Sequence, residues 1–261
     1  MKYFRHEVKG NKVTIYPFVC WHIGAPQSDE KFIKEMVSRV KDDPIGRWLY
    51  MGDAGECVTR YSKGDIFTQT MDLTEQQKYF TELVRPIKDK GLFGVKGNHG
   101  NRVFKETGLD FDESLCVRLG IPYMGTACFW ELVLRRGASA THKFDIYTHH
   151  GIDSGVSIAG KINKAKALDQ LVVADAIFSA HSHICCEIPP KHSASLESGS
   201  IRWTTTHEYI CGCAYDSRTG YAETKGYPPI LPAHLGVTFW SYHDSNGPAE
   251  KRQTCQIWRG E

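Results

Sequence analysis

The chain has 261 residues, of which 41% are hydrophobic and 24% are charged, close to the averages of soluble globular proteins. Its formal net charge of +2 gives the molecule no overall attraction for nucleic acid or acidic membranes, although a local basic groove is compatible with it. No run approaches the roughly 20 apolar residues needed to cross a bilayer, and residues 1–7 lack the apolar core of a secretory signal. We therefore expect a cytoplasmic protein without a membrane anchor, folded as a single domain over residues 1–261.

The nine cysteines are scattered along the chain. None of them forms the paired Cys-x-x-Cys spacing of a structural zinc site. In a chain without a secretory signal we expect reduced thiols, most of them buried in strands.

Strand-like and helix-like segments alternate along the chain. Short apolar runs at 13–19, 48–51, 92–95, 144–148 and 176–178 predict buried strands. Apolar residues at helical spacing predict helices between them, the first capped by Ser28. The segments 201–213 and 234–243 are rich in β-forming residues and predict antiparallel strands. This order predicts an α/β fold of stacked sheets with helices outside, in which the strand-rich part at 195–258 completes the second sheet.

Residues that can bind metals follow directly after the predicted strands. They are Cys20-Trp21-His22, Gly52-Asp53, Gly97-Asn98-His99, His149-His150 and His181-Ser182-His183. Functional groups collect at the carboxyl ends of strands in α/β sheets, so these residues are expected to converge on one crevice. Imidazole, carboxylate and amide ligands suit manganese, iron or zinc rather than calcium. There are more candidate ligands than one tetrahedral zinc needs, which favours two divalent ions.

These blocks, in this order, resemble the calcineurin-like metallophosphoesterases, whose pattern is D-x-H, G-D, G-N-H-[DE], a histidine after a strand, and G-H-x-H. The resemblance covers about residues 13–190 and implies a four-layer α/β/β/α sandwich of two stacked mixed β-sheets flanked by helices. It also implies two metal ions that share one carboxylate. One ion is held at the Cys20 position and by His22 and His183, the other by Asn98, His149 and His181, and Asp53 bridges both.

The resemblance implies further roles around these ions. A bridging hydroxide would attack phosphorus in line, and His99 would contact the scissile phosphate and stabilise or protonate the departing oxygen. Arg102, three residues after His99, is a candidate hydrogen-bond donor to the phosphate oxygens, and the alternative is that it is a solvated helix residue. The family pattern favours His149 over His150 as the ligand, which leaves His150 as a candidate substrate contact. The backbone amides of the loop 151–155 either cradle phosphate or belong to an ordinary loop.

Two departures from the family pattern bear on catalysis. Cys20 stands where the family carries an aspartate ligand. A thiolate there either binds a metal and biases the choice of ion, or leaves the first site weak. Gly100 replaces the acidic residue that usually follows the catalytic histidine, which affects how His99 is oriented.

The leading hypothesis is metal-dependent hydrolysis of a phosphate ester. A phosphodiester such as DNA or RNA is preferred, because Lys161, Lys164 and Lys166 form a basic face on a predicted helix and some members of the family are repair nucleases. One alternative is a phosphomonoesterase acting on a phosphoprotein or a nucleotide. Another is a binding scaffold that has lost catalysis, which Cys20 and Gly100 favour. The native metal and the oligomeric state are left open.

Overall fold

The computed structural model describes residues 2–62, 64–136, 139–152, 155–242 and 250–260. Within these ranges the strands are β1 (Lys2–Lys9), β2 (Lys12–Phe18), β3 (Gly46–Tyr50), β4 (Gly91–Gly94), β5 (Ala127–Arg136), β6 (Ser139–His149), β7 (Ala176–Ser179), β8 (Cys185–Glu197), β9 (Ser200–Cys213), β10 (Ala233–Tyr242) and β11 (Glu250–Arg259). The α-helices are α1 (Glu30–Asp42), α2 (Leu73–Val84), α3 (Asn98–Thr107), α4 (Phe111–Leu119), α5 (Ile158–Lys166) and α6 (Tyr221–Thr224). Two 3-10 helices follow α2 and α5, at Arg85–Lys90 and Ala167–Gln170. None of the helices described is both long enough and apolar enough to cross a membrane.

The strands form two mixed sheets. The first has the order β1-β5-β6-β7-β9, with β8 paired to β9. The second has the order β11-β10-β2-β3-β4, and its strands β2, β3 and β4 run parallel. The sheets are joined where β9 and β10 pair over two residues. Strands β8 and β9 thus extend the first sheet and β10 and β11 the second. The prediction that the part at 195–258 completes the second sheet is therefore wrong for its first half, because β9 pairs with β7 of the first sheet. His243, at the end of one predicted strand, lies outside the described residues.

The two sheets pack face to face, and helices cover their outer faces. Trp130 and Phe144 of the first sheet share one buried core with Leu49 and Val237 of the second. The outer face of the second sheet packs against α1, α2 and α4, and that of the first packs against the segment around Leu168. Strands β2, β3, β4 and β7 are therefore buried on both faces, which explains their nearly continuous apolar sequences. The layer order α/β/β/α confirms the predicted fold class.

Helix α1 begins one residue later than the sequence predicts. Its N-cap is Asp29, whose side chain accepts a hydrogen bond from the N–H of Phe32 at 2.9 Å. Ser28 instead donates its hydroxyl to the carbonyl oxygen of Trp21 at 2.7 Å. The predicted cap therefore holds the loop that carries His22.

Candidate metal centre

The candidate ligands lie on tight loops that follow β2, β3, β4, β6 and β7. Many of them have a left-handed backbone: φ is 51° at Cys20, 50° at His22, 57° at Asp53, 64° at His181 and 64° at His183. This conformation costs a non-glycine residue roughly 1–2 kcal/mol. The loops after β3 and β4 also touch, since a Cβ on Gly52 would lie 2.5 Å from the Cα of Gly97. Strain concentrated in this way is typical of functional sites.

Asp53 lies at the centre of these loops and is only 1% exposed. Its Oδ1 accepts a hydrogen bond from the backbone N–H of His99 at 2.8 Å, whereas its Oδ2 makes no hydrogen bond within the described residues. The Nε2 atom of His150 lies 3.0 Å from Oδ2, within the distance of an ion pair. Burial acts to raise the pKa of Asp53, but His150 and His99 outweigh it and hold that pKa well below its usual value. A buried anionic oxygen without a hydrogen bond is what a metal-bridging carboxylate would present.

One group of candidate ligands surrounds His150. Its Nδ1 lies 2.6 Å from the carbonyl oxygen of Met51, so this nitrogen carries a proton and donates it. The opposite nitrogen, Nε2, faces Asn98 Oδ1 at 2.9 Å and Asp53 Oδ2 at 3.0 Å. Burial lowers the pKa of His150, and the Asp53 carboxylate more than offsets this, so the pKa is raised. A divalent ion can take the place of the proton among these acceptors, and the ring of His181, 5.4 Å from that of His150, completes the group.

A second group consists of Cys20, His22 and His183, whose ligand atoms all lie within 4.8 Å of one another. The Nε2 atoms of His22 and His183 are 3.1 Å apart. The other ring nitrogen of His22, Nδ1, lies 2.9 Å from the Glu56 carboxylate. A proton held between His22 Nδ1 and the Glu56 carboxylate leaves the lone pair of His22 Nε2 directed at Cys20 and His183. This arrangement is common for metal-binding histidines.

Cys20 fits both groups, because its Sγ also lies within 4.8 Å of ligand atoms of Asp53 and His150. Burial, together with the nearby Asp53 carboxylate, raises the pKa of the Cys20 thiol well above its usual value. Without a cation the thiol is therefore protonated at neutral pH, and coordination to a metal would remove the proton. The position suits a ligand, but a soft one.

We expect the substitution Cys20→Asp to change the metal preference. A carboxylate is a harder donor than a thiolate, so Mn²⁺ should bind at least roughly tenfold more tightly relative to Zn²⁺ than it does to the original chain. Calorimetric titration of both ions into both proteins measures the ratio. Cys128→Ser, in the core between the sheets, is the control for loss of a buried thiol. An unchanged ratio would show that Cys20 is not a ligand.

The structure corrects the predicted placement of His149 and His150. Along β6, Phe144 and Ile146 face the core between the sheets, whereas Tyr147 faces the helix layer. Successive strand side chains alternate, so His149 follows Tyr147 outwards and His150 turns inwards. The Nδ1 atom of His149 accepts a hydrogen bond from the N–H of Gly151 at 2.8 Å, and its ring lines a separate small cavity. His149 is therefore not placed to bind a metal with Asp53. His150 is only 3% exposed, which also removes it from the substrate surface.

His99 and Arg102 lie side by side at the same centre. The His99 Nδ1 lies 2.7 Å from the carbonyl oxygen of Glu56, to which it donates, and its Nε2 accepts from the Arg102 guanidinium at 3.1 Å. Burial lowers the pKa of His99 to about 4, so the ring is neutral at neutral pH. Both residues line the cleft described next, so Arg102 is placed where it could donate to a bound phosphate.

A cleft of about 680 Å³ opens over these residues. Its inner end holds His22, Asn98, His99, Arg102, His181 and His183. The rest of its lining includes Val58, Gly64 and Asp65 from one loop and Tyr227, Pro228 and Ile230 from another. The cleft therefore joins a metal-competent end to a partly apolar one, as small-molecule sites do.

Lys161 also lines the cleft and does not belong to a surface basic face. It is only 6% exposed, and its ammonium donates to the carbonyl oxygen of Ser182 at 2.6 Å. Lys164 and Lys166 of the same helix are exposed. The predicted face of three lysines is thus divided. In the nearby loop proposed to cradle phosphate, Asp153 and Ser154 lie outside the described residues.

The sequence interpretation missed Glu56 and the inward direction of Lys161. Glu56 lies three residues after Asp53, but the family pattern covers only Gly52-Asp53 at this block. No local signal marks it, because its partner His22 is 34 residues away. The strand alternation in β6 was a usable signal for His150, since even-numbered residues carry the apolar side chains of the core between the sheets.

Comparison with known proteins gives likeness in structure alone. No family model and no curated protein matches the sequence. A single mutant of Vps29 from Entamoeba histolytica is 12% identical, with 95% of this chain and 100% of that chain covered and a TM-score of 0.40. Vps29 from Chaetomium thermophilum is 13% identical over 97% and 98% of the two chains, with a TM-score of 0.38. The NAD nucleotidase of Haemophilus influenzae is 12% identical over 97% of this chain and 51% of that chain, with a TM-score of 0.44. All three TM-scores lie below 0.5, and this chain spans about half the length of the nucleotidase.

Proposed function

We propose that the chain is a metal-dependent phosphoesterase of the calcineurin-like type, with a dinuclear centre. The observation that carries this proposal is the buried Asp53 Oδ2, which makes no hydrogen bond to any residue that the structure describes and lies among imidazole, amide and thiol groups from four other segments of the chain. A buried anionic oxygen surrounded by atoms with free lone pairs is unfavourable in a low dielectric unless a cation balances the charge.

The donors divide into two sets around this carboxylate. We assign Cys20, His22 and His183 to one ion, Asn98, His150 and His181 to the other, and Asp53 to both. Two divalent ions bound there would supply positive charge to the phosphate oxygens and lower the pKa of water, which is the chemistry that hydrolysis of a phosphate ester requires. The mixed nitrogen, oxygen and sulfur donors suit Mn²⁺, Fe²⁺ or Zn²⁺.

The protein itself would bind and orient the ester. The Arg102 guanidinium lines the cleft beside His99 and can donate to phosphate oxygens. His99 is held neutral by burial. A phosphate dianion bound beside it would raise the pKa of the ring and let its Nε2 deliver a proton to the departing oxygen.

We infer that the substrate is a compact phosphate ester rather than a nucleic acid strand. The cleft volume of about 680 Å³ lies within the range of small-molecule sites. The Tyr227, Pro228 and Ile230 wall offers apolar contact to an organic leaving group. The basic face that favoured DNA or RNA loses Lys161, which is buried.

Hydrolysis of aryl phosphates tests the proposal. After a chelator has removed the metals, the protein should be inactive. Addition of Mn²⁺, Fe²⁺ or Zn²⁺ should restore turnover of p-nitrophenyl phosphate or of its bis-aryl diester. Turnover should reach its maximum when about two ions are bound per chain. Metal analysis and steady-state kinetics measure both quantities. Single-stranded DNA is the comparison substrate, and its binding should weaken steeply with salt if a nucleic acid is the natural ligand. Fewer than one ion per chain and no hydrolysis would support the binding scaffold instead.

A further inference from the structure

A buried carboxylate outside the sequence blocks lies next to the candidate metal centre. Asp112, in the first turn of α4, is fully buried. Its Oδ2 accepts a hydrogen bond from the backbone N–H of Gly97 at 3.1 Å, and its Oδ1 accepts one from the Tyr50 hydroxyl. The Tyr50 oxygen in turn accepts from the N–H of Ala54, the residue after Asp53, at 3.3 Å. One side chain of α4 therefore ties the loop after β3 to the loop after β4.

The same carboxylate fills the space beside Gly100. A Cβ on Gly100 would lie 2.2 Å from the Oδ2 of Asp112 and 2.9 Å from its Cγ. Gly100 lies within α3, so lack of space, and not an unusual backbone conformation, excludes a side chain there. The family pattern has an acidic residue at this position. In this chain the Asp112 carboxylate, carried by another helix, occupies the space that a side chain at position 100 would enter.

We propose that Asp112 is a positioning residue which supplies, from α4, the carboxylate that the family pattern carries at position 100. It fixes the backbone of Gly97, and with it Asn98 and His99, against the loop of Asp53. The Gly97 N–H is buried, and without an acceptor it would lose both its hydrogen bond and access to water. The expected loss of catalytic activity rests on the proposed function. The replacement of a side chain at position 100 by the Asp112 carboxylate does not rest on it.

A double-mutant cycle tests this proposal with Asp112→Ala, Gly100→Asp and the two combined. We expect Asp112→Ala to weaken Mn²⁺ binding at least roughly tenfold, the usual effect of removing a group that orients metal ligands. Gly100→Asp alone should lower the thermal midpoint, because two carboxylates would compete for one space. The double variant should recover most of the Mn²⁺ affinity and of the midpoint, so the effects should be strongly non-additive. Calorimetric titration and thermal unfolding measure these quantities.

Two further variants separate positioning from general stability. Asp112→Asn keeps one acceptor oxygen and should retain most of the Mn²⁺ affinity. Asp110→Asn alters a carboxylate in the same turn that caps α4 and pairs with Lys96 at 2.9 Å. It should lower the thermal midpoint and leave Mn²⁺ affinity unchanged. If the wild type hydrolyses an ester, Asp112→Ala should reduce kcat more than it changes KM.

The outcomes distinguish this inference from the proposed function. Wild-type Mn²⁺ affinity in Asp112→Ala, or a double variant no better than the sum of the single effects, would overturn the inference. If the wild type binds Mn²⁺ but hydrolyses none of the esters, the proposed function is wrong. The Mn²⁺ affinities of the single and double variants still test the role of Asp112. If the wild type binds no Mn²⁺, the thermal midpoints of the variants decide. A midpoint of the double variant close to that of the wild type supports the replacement of a side chain at position 100 by Asp112. Additive losses of the two single variants overturn it.

Discussion

The substitution Asp53→Asn should abolish binding of both metal ions while preserving the fold. Asparagine has nearly the same shape, and its amide oxygen can still accept the hydrogen bond from the N–H of His99, now made to Asp53 Oδ1 at 2.8 Å. Its amide nitrogen can donate to the Nε2 of His150, which lies 3.0 Å from Oδ2. The pocket would then be satisfied without a cation. We expect turnover to fall by roughly a thousandfold or more, beyond the 10–100-fold lost when only a supporting group of a metal ligand is removed.

Thermal unfolding gives this variant a readout that does not depend on activity. The low pKa of Asp53 means that the metal-free native state stabilises the ionised carboxylate beside His150. Metal-free Asp53→Asn loses this stabilisation and should therefore unfold at a lower temperature than the metal-free wild type. Adding Mn²⁺ should raise the midpoint of the wild type alone, because an ion that binds only the native state stabilises it. Asp175→Asn, which alters the surface pair of Asp175 with Lys251, is the control. Equal stabilisation of Asp53→Asn by Mn²⁺ would exclude Asp53 as a bridging ligand.

Adjacent histidines should differ sharply when each is replaced by alanine. His150→Ala removes a ring that lies 3.0 Å from Asp53 Oδ2 and 2.9 Å from Asn98 Oδ1. We expect loss of one of the two ions and a fall in turnover of roughly a hundredfold or more. His149→Ala removes a ring that lies in a different cavity, and turnover should stay within roughly threefold of the wild type.

This pair of variants directly tests the placement that the structure gives to His149 and His150. Metal analysis, kinetics and circular dichroism on both proteins measure ion content, activity and folding. His150→Ala also loses the hydrogen bond to the carbonyl of Met51, so its midpoint should fall by more than that of His149→Ala. If His149→Ala loses the ion and His150→Ala keeps it, strand β6 must have the opposite register, and the assignment of its ligand reverts to His149.

The amino-acid sequence by itself determined the layers of this protein and the loops on which its candidate site lies. Buried strands need long apolar runs, and the polar residues that follow each run mark where a strand ends. Asp53 and Asn98 could therefore be placed at strand ends from the local pattern, and the resemblance to the family pattern then marked them as candidate ligands. The alternation of Phe144 and Ile146 with outward residues also contained the choice between the two histidines, although the family pattern pointed to the other one.

Only the tertiary structure decided which distant groups support that site. Glu56 meets His22, Asp112 meets Gly97, and Lys161 meets Ser182 across long stretches of chain. No local periodicity encodes these contacts, because each depends on how separate helices and loops pack against the sheets. The cleft and the division of the lysine face likewise arise from packing. Local sequence determines which side of a strand a residue faces, whereas the partner it meets there is determined by the folded chain as a whole.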